Sequence, residues 1–344
     1  MFVGMSGGVD SSLSAALLKE QGYDVTGVFI KVWQPDFIEC TWKNDRLDAM
    51  RVASELEIPF VTLDLEKEYK QGVIDYMLSE YKEGRTPNPD VMCNREVKFG
   101  AFWKWAKEQG ADFIATGHYA KTDHEELLVS DDKNKDQTYF LWMLTKNDLE
   151  HILFPIGHLK KDDVRNEAKN RGLYTSGKKD SQGLCFVGTI DIKTLLKEYI
   201  EEKIGDVKNE DGEVIGVHDG VTFYTIGERH GFTIRKKTTD DAPYYVIRKN
   251  IKNNELIVSH QKPEKKLHEE ILLDRVNWVN GGPRDGFTYE ARARYRALLA
   301  NVTIAKKNDT WHASVISGDL VATPGQSLVF YDKEKCLGGG IIVY

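Results

Sequence analysis

The stretch from Gly4 to Ser12, GMSGGVDSS, gathers three glycines, three serines and an aspartate in nine residues. Gly4, Gly7 and Gly8 let the backbone turn tightly and present N–H groups to an anion. Ser6, Ser11 and Ser12 add hydroxyl donors. Phe2 and Val3 form an apolar stub before the stretch, and LSAALLKEQG follows it with helical spacing. Leu13, Ala16 and Leu17 form the core-facing stripe of that helix, which begins near Asp10 or Ser11 and turns its N-terminal dipole toward the same anion. A plain strand-to-helix turn is the competing reading, and the crowding of hydroxyls and an acid in one short loop weighs against it. The lysine of G-x-x-x-x-G-K-[ST] is absent, and G-x-G-x-x-G does not fit either. The loop is therefore neither a Walker-type loop nor a dinucleotide loop.

Two thiols supply candidate nucleophiles. The four cysteines, Cys40, Cys93, Cys185 and Cys336, stand far apart with no C-x-x-C spacing, so neither a paired-cysteine zinc site nor a disulfide framework is indicated. In GRTPNPDVMCNREVKFG (84–100), Pro87 and Pro89 stiffen a turn that becomes a helix, with Asn88, Asp90 and Cys93 within six residues. A thiol near a helix N-terminus gains thiolate character. The alternatives are a Cys packed as a small hydrophobe and an Asp90 that only caps the helix. In DSQGLCFVG (180–188), Gly183 precedes Cys185. Upstream, His158 to Lys179 carries seven Lys or Arg against three acids, which favours a thiolate if the fold brings the charges close and is otherwise a solvated face.

These groups need a frame. Over the first 120 residues, short apolar runs at 25–30, 59–65 and 112–117 alternate with helical patterns. One helix starts near Asn44, one covers EKEYKQGVIDYMLSEYKEG, and one covers VKFGAFWKWAKEQG and ends at Gly110. The alternation implies a parallel sheet with helices on both faces and ligands at the C-terminal strand ends. Further helices are expected from Lys160 to Arg171 and over 190–203. After Gly205 turn signals (NEDGE, HDG, KNN, NGGPRDG, KKND, TPG) separate short alternating segments such as TFYTI, YYVIRK, ELIVS, YEARARY, WHASVI and SLVFY, an all-β texture. Its length calls for two units, split near residue 270. The expected organisation is 1–204, 205–269 and 270–344.

The chain has 344 residues, 41% hydrophobic and 29% charged, with net charge −7. That balance argues against non-specific coating of nucleic acid but leaves room for a local basic surface. No run has the length of a membrane span and no signal peptide opens the chain, so the cytoplasm is the expected location. The first strand is unusually short, and the true start is expected upstream.

S-G-G-x-D-S at 6–11 resembles the PP-loop of ATP pyrophosphatases, which cleave ATP between the α- and β-phosphates. SGGVDSS, GRTPNPDVMCN, ATGHYA, KDQTYFL, DSQGLCFVG and TPGQS occur in that order. Together they resemble the bacterial tRNA-specific 2-thiouridylases over nearly the whole chain. The resemblance implies an α/β PP-loop domain, a small central β domain and a C-terminal β-barrel. It implies ATP contacts at Gly4, Met5, Ser6, Gly7, Gly8, Val9, Asp10, Ser11, Ile30 and Gly117, where the family often has Met at the position of Ile30. It implies that Asn88, Pro89 and Asp90 surround a flipped target base, and that His118, Lys135, Asp136, Gln137, Arg294, Tyr295 and Gln326 contact tRNA. The alternating Arg of ARARYR would then turn one basic face to phosphate, with Tyr295 available to stack. In TIGERHGF (225–232), Glu and His stand where the family tends to have Gln and a basic residue.

The implied reaction adenylates the C2 oxygen of uridine 34 with ATP, Mg²⁺ neutralising the phosphates. A persulfide on Cys185 then attacks C2, and Cys93 resolves it to a Cys93–Cys185 disulfide. Release of free hydrosulfide by Cys93 is the alternative order, with Asp90 as the acid–base group. The implied partners are the anticodon stem-loops of tRNAs for Glu, Gln and Lys and a sulfur donor, either a cysteine desulfurase or a relay protein. No metal held by the protein and no permanently bound cofactor is expected. Two other readings stay open: a PP-loop ligase that needs no cysteines, and a non-catalytic tRNA-binding or sulfur-carrier protein.

Overall fold

The computed structural model describes the whole chain except residues 38–41, 180–190, 236–241, 264–269, 285 and 344. The N-terminal unit is built on β1 (Phe2–Gly4), β2 (Thr26–Lys31), β3 (Phe60–Asp64), β4 (Ile114–Thr116) and a two-residue strand at Ile152–Leu153. All pairings are parallel, in the order β3-β2-β1-β4 and then Ile152–Leu153. The order reverses between β1 and β4. That is where an open α/β sheet leaves a crevice beyond its carboxyl ends.

Both faces are covered, which is why β2 is a near-continuous apolar run. On one face lie α1 (Val9–Glu20), α2 (Trp42–Glu55) and a helix at Lys161–Asn170, packed through Leu13, Ala16, Leu18, Ala49, Val52, Val164 and Ala168. On the other face lies a helical run from Glu66 to Lys82. Beside it runs a second, in which a single α-turn at Pro89–Met92 passes through π-helical turns at Cys93–Ala101 into an α-helix at Phe102–Glu108. π-Turns inside helices recur at functional sites.

The central unit is a five-stranded sheet made from Gly205–Lys208, Val214–His218, Thr233–Ile234, Tyr245–Asn250 and Glu255–Ser259. The C-terminal unit is a six-stranded antiparallel barrel from Glu270–Trp278, Thr288–Arg292, Ala300–Lys307, Thr310–Ser317, Ser327–Asp332 and Lys335–Ile342, closed by pairing of its first and last strands. Its interior is filled by Leu273, Ala291, Val302, Ile304, Val315, Leu328 and Phe330.

Several local expectations are corrected. TFYTI is not a strand: Val221–Phe223 form a 3₁₀ turn, and Phe223 and Tyr224, which a strand would send to opposite faces, are both buried. The helix expected over 190–203 spans only Ile192–Lys197 among the described residues: it tightens into an i→i−3 turn at Glu198 and Tyr199, and Glu201–Lys203 are exposed. The strand in YEARARY ends at Arg292, and Arg294 sits in a turn closed by Ala297 N–H donating to its carbonyl. A hairpin, Ala120–Thr122/Leu127–Val129, adds to the expected elements. It leaves the N-terminal unit and joins the barrel wall, where Leu127 and Leu128 pair with Cys336 and Lys335. The residues after it lock the two units together. Trp142 Nε1 donates to Ser327 Oγ at 3.0 Å, and the Tyr139 hydroxyl lies 3.0 and 3.1 Å from the carbonyls of Ala293 and Ser327.

Candidate active site

The 4–12 stretch leaves β1 at the point where the strand order reverses. Met5 N–H donates to Val28 O at 2.8 Å, so the chain stays on the sheet for one more residue. Gly7 then turns with φ 74°, and a Cβ there would lie 2.2 Å from Asp45 O in α2. Only glycine meets both demands. Gly8 begins α1 without a side-chain cap. The serines brace the loop from inside: Ser6 N–H donates to Ser11 Oγ at 3.1 Å, and the hydroxyls of Ser11 and Ser12 donate to Gly8 O at 3.2 and 2.8 Å. The first-turn N–H groups of α1 have no acceptor within the helix and form the donor end of the site.

Asp10 is held from outside the loop. Tyr119 OH donates to its Oδ1 at 2.8 Å, and Lys161 Nζ donates to Oδ1 and Oδ2 at 2.7 and 2.9 Å. Lys161, first residue of its helix and almost buried, was one of seven basic residues in a stretch whose positions along the chain gave no sign that one of them reaches the loop. Tyr119, two residues beyond Gly117, likewise carries no mark in the sequence of its contact with Asp10.

Gly117 and His118 follow β4 directly. A Cβ on Gly117 would come within 2.6 Å of Ser11 N, so the segment after β4 lies against the first turn of α1. His118 is buried. Its Nδ1 is 2.7 Å from Thr116 Oγ1, and Lys98 Nζ lies 3.5 Å from Nε2. Burial, reinforced by the Lys98 charge, holds its pKa well below the ordinary histidine value, so the ring is neutral at pH 7. Nδ1 and the Thr116 hydroxyl share one hydrogen bond, and the Lys98 ammonium faces Nε2. Lys98 belongs to the π-helical turns that start at Cys93, so this contact joins the switch point to the cysteine helix. Ile30 is buried near the carboxyl end of β2, beside Leu63 of β3.

Cys93 is fully buried, one helical turn in from Pro89. The N-cap is Asn88, whose Oδ1 accepts from Asp90 and Val91 N–H at 3.2 and 3.4 Å. Asp90 is therefore not the cap and stays half-buried in the first turn. The segment is fastened by the other two units. Thr86 N–H donates to Pro324 O at 2.8 Å, Thr86 and Thr225 hydroxyls lie 3.1 Å apart, and Gln326 Nε2 donates to Thr86 and Pro87 carbonyls at 2.8 and 3.3 Å. Cys185 and its DSQGLCFVG neighbourhood lie outside the described residues, as does Cys40. Cys336 is buried in the barrel, where burial pushes its thiol pKa far up, and it is no nucleophile.

The remaining expected contacts divide. Gln137 and Tyr119 exchange hydrogen bonds: Tyr119 N–H donates to Gln137 Oε1 at 2.9 Å and Gln137 N–H to Tyr119 O at 2.8 Å. Lys135 is half-buried, with its N–H on Asp132. Asp136 is buried, its carboxylate accepting from Ser130 N–H and the Thr138 hydroxyl at 3.2 and 2.8 Å, and burial raises its pKa. Its oxygens serve the loop's own structure. Tyr295 packs its ring 4.6 Å from Phe140, whose carbonyl accepts from Asn94. Arg294 is exposed at a cavity of about 1080 Å³ between central unit and barrel, and donates to Ile226 O and Thr323 Oγ1. Residues 4–11, 117–119 and 161 thus form one cluster. Residues 86–94, 139–140, 295 and 326 form a second, joined to the first through Lys98–His118 and Gln137–Tyr119. Arg294 lies at the edge of the second.

A phosphate-type loop at the switch point of a parallel sheet, followed by a small β unit and a barrel, defines a nucleotide-binding α/β enzyme with two accessory β units. Three family descriptions match in the same order: tRNA methyl transferase HUP domain over residues 1–189, tRNA methyl transferase PRC-barrel domain over 193–260, and aminomethyltransferase beta-barrel domain over 268–342. The chain is 46% identical to the tRNA-specific 2-thiouridylase MnmA of Listeria innocua, with 99% of this chain and 93% of that protein aligned. It is 48% identical to tRNA-specific 2-thiouridylase MnmA 2 of Geobacillus kaustophilus, with the same coverage. The protein belongs to the tRNA-specific 2-thiouridylase family. Among solved structures, the U34-tRNA thiolase NcsA of Methanococcus maripaludis matches 58% of this chain and 66% of its own, with 20% identity and a TM-score of 0.36.

Proposed function

We propose that this protein thiolates C2 of the wobble uridine of tRNA at the expense of ATP. The observation that carries the reading is the link between a phosphate loop and a buried thiol: Lys98, one turn beyond Cys93, contacts His118 beside the loop. The full-length likeness to 2-thiouridylases supports it. A methyl transfer, which the family descriptions mention, has no use for a loop that grips phosphate.

ATP occupies residues 4–11, with adenine toward Ile30 and Gly117. Mg²⁺ accompanies the nucleotide. Among the described residues no group of three His, Cys, Asp or Glu side chains is placed to hold a metal, so the phosphates and water would supply most of the ion's oxygens. The uridine is flipped out of the anticodon, because C2 is unreachable in the stack. Asn88, Pro89 and Asp90 surround it, and His118, Lys135, Gln137, Arg294, Tyr295 and Gln326 line the tRNA side. Asp136 supports the 135–137 segment from within. The uridine O2 attacks the α-phosphorus and pyrophosphate leaves. The terminal sulfur of a Cys185 persulfide bonds C2 as AMP departs. The Cys93 thiolate then attacks the Cys185 sulfur, leaving 2-thiouridine and a Cys93–Cys185 disulfide that an external thiol reduces. Asp90 manages the protons. The substrates are tRNAs for Glu, Gln and Lys, the sulfur comes from a cysteine desulfurase or a relay protein, and the location is the cytoplasm. Among the described residues no helix is long and apolar enough to cross a membrane. We place the unit boundaries at 204/205 and 269/270.

The test is incubation with tRNA transcript, ATP and a sulfide or persulfide source, followed by a mercury-containing gel. A retarded band that needs ATP and Cys93 is expected. No retardation with competent reagents would overturn the reading. ATP consumption that survives both Cys93→Ser and Cys185→Ser with an amide-type product would favour a ligase, and tRNA binding without AMP formation a carrier.

A further inference from the structure

The loop lacks the lysine that other phosphate loops use, yet a lysine stands beside it. Lys161 is 9% exposed and reaches the Asp10 carboxylate, 151 residues away in sequence, with both oxygens in hydrogen-bond range. Its position is fixed at three points. Its backbone N–H donates to Asp132 Oδ2 at 3.0 Å, its head lies 5.7 Å from the Tyr119 ring centre, and Val164 and Ala168 of its helix pack in the core that α1 shares. An ammonium this far from water needs an anionic partner. Asp10 is that partner here, and it stands in the first turn of α1, at the donor end of the loop. A triphosphate arriving at that end would be repelled by Asp10 unless the cation were shared with it.

We infer that Lys161 is the cation the loop lacks: it binds the β-phosphate of ATP and stabilises the departing pyrophosphate, and Asp10 holds it in position before ATP arrives. The inference rests on the ATP-dependent reaction proposed above. In that step a lone pair of uridine O2 forms the bond to the α-phosphorus. The bond from that phosphorus to the bridging oxygen breaks, and its electron pair leaves on pyrophosphate. An ammonium beside the departing oxygens lowers the barrier with no proton transferred. Asp10 does not depend on Lys161 for its own satisfaction, because Tyr119 OH also donates to it.

The test uses the full chain with tRNA transcript and ATP, reading AMP formation, ATP affinity by calorimetry, tRNA affinity and thermal unfolding. Lys161→Met is expected to keep tRNA affinity and to lower kcat/KM for ATP by about 100-fold, the usual loss when one charge-stabilising donor is removed. The double variant Asp10→Asn with Lys161→Met stays slow, because removing the repulsion does not restore the cation. AMP formation at the wild-type rate in Lys161→Met, or its recovery in the double variant, would overturn the inference and leave a merely structural ion pair. Should Lys161→Met not fold, Lys161→Arg carries the test, with a raised KM for ATP expected and an unchanged one contradicting. If wild-type protein forms no AMP while a 2-thiouridylase run alongside does, the parent reading fails and this one with it.

Discussion

The loop at 4–11 and the segment at 86–93 are both tied down by hydrogen bonds, but from different parts of the molecule. The loop is secured within the N-terminal unit: serine hydroxyls bond Gly8 O, and Asp10 is gripped by Tyr119 and Lys161. The segment before Cys93 is secured from outside, by Pro324 and Gln326 of the barrel and Thr225 of the central unit. The ATP half of the site is therefore self-contained, whereas the half assigned to the target base takes shape only when three units assemble. Damage to one half should leave the other measurable.

The largest expected separation comes from Cys93→Ser, which keeps ATP affinity within about twofold while thiolation falls by at least about 1000-fold, as for loss of a nucleophile. Gas-free calorimetry and the mercury gel check the two halves. Next, Gly117→Ala drives a methyl to 2.6 Å from Ser11 N. Overpacking of this kind costs about 1–3 kcal/mol, and we expect ATP affinity to fall by about 10- to 100-fold with tRNA affinity retained. A loss of tRNA affinity instead would break the comparison. Gln326→Ala removes the Nε2 amide that donates to both the Thr86 and Pro87 carbonyls. It should cost about 1 kcal/mol of stability and slow thiolation without changing ATP affinity, seen by thermal unfolding and steady-state rates. The smallest effect belongs to the bridge between the halves. His118 is neutral when folded because burial lowers its pKa, whereas in the unfolded chain it titrates near 6.5. The unfolded state thus binds the extra proton first, and stability falls as pH drops through 6.5, by roughly 0.7 kcal/mol from pH 7 to pH 6. His118→Gln should remove that part of the slope in denaturant titrations at the two pH values.

The same contrast decides what could be read in advance. The loop announced itself because its glycines and serines are adjacent in the chain, and the parallel sheet followed from the alternation of apolar runs with helical patterns. Asn88 as N-cap, Gln326 under the 86–87 carbonyls and Lys161 on Asp10 could not be found that way. Gln326 and Lys161 meet partners 240 and 151 residues off, and a lysine among seven basic residues carries no mark of the one carboxylate it meets. The cap, by contrast, is local, Asn88 meeting N–H groups two and three residues on, and it was missed because Asp90 is an equally good capping type. The hairpin that joins the barrel was hidden because its three-residue strands are too short to show a period. Arg294 was misplaced onto a strand since alternation continued past the point where the chain turned.

The central claim is that ATP activates the base which the thiol chemistry then sulfurates. A single-turnover reaction with α-labelled ATP, tRNA transcript and a persulfide donor tests it most directly, counting AMP and 2-thiouridine in the same samples. The account predicts that the two appear in equal amounts, and that both vanish without tRNA. Thiolated tRNA formed without AMP, or AMP released from tRNA reactions that yield no 2-thiouridine despite a competent donor, would contradict it.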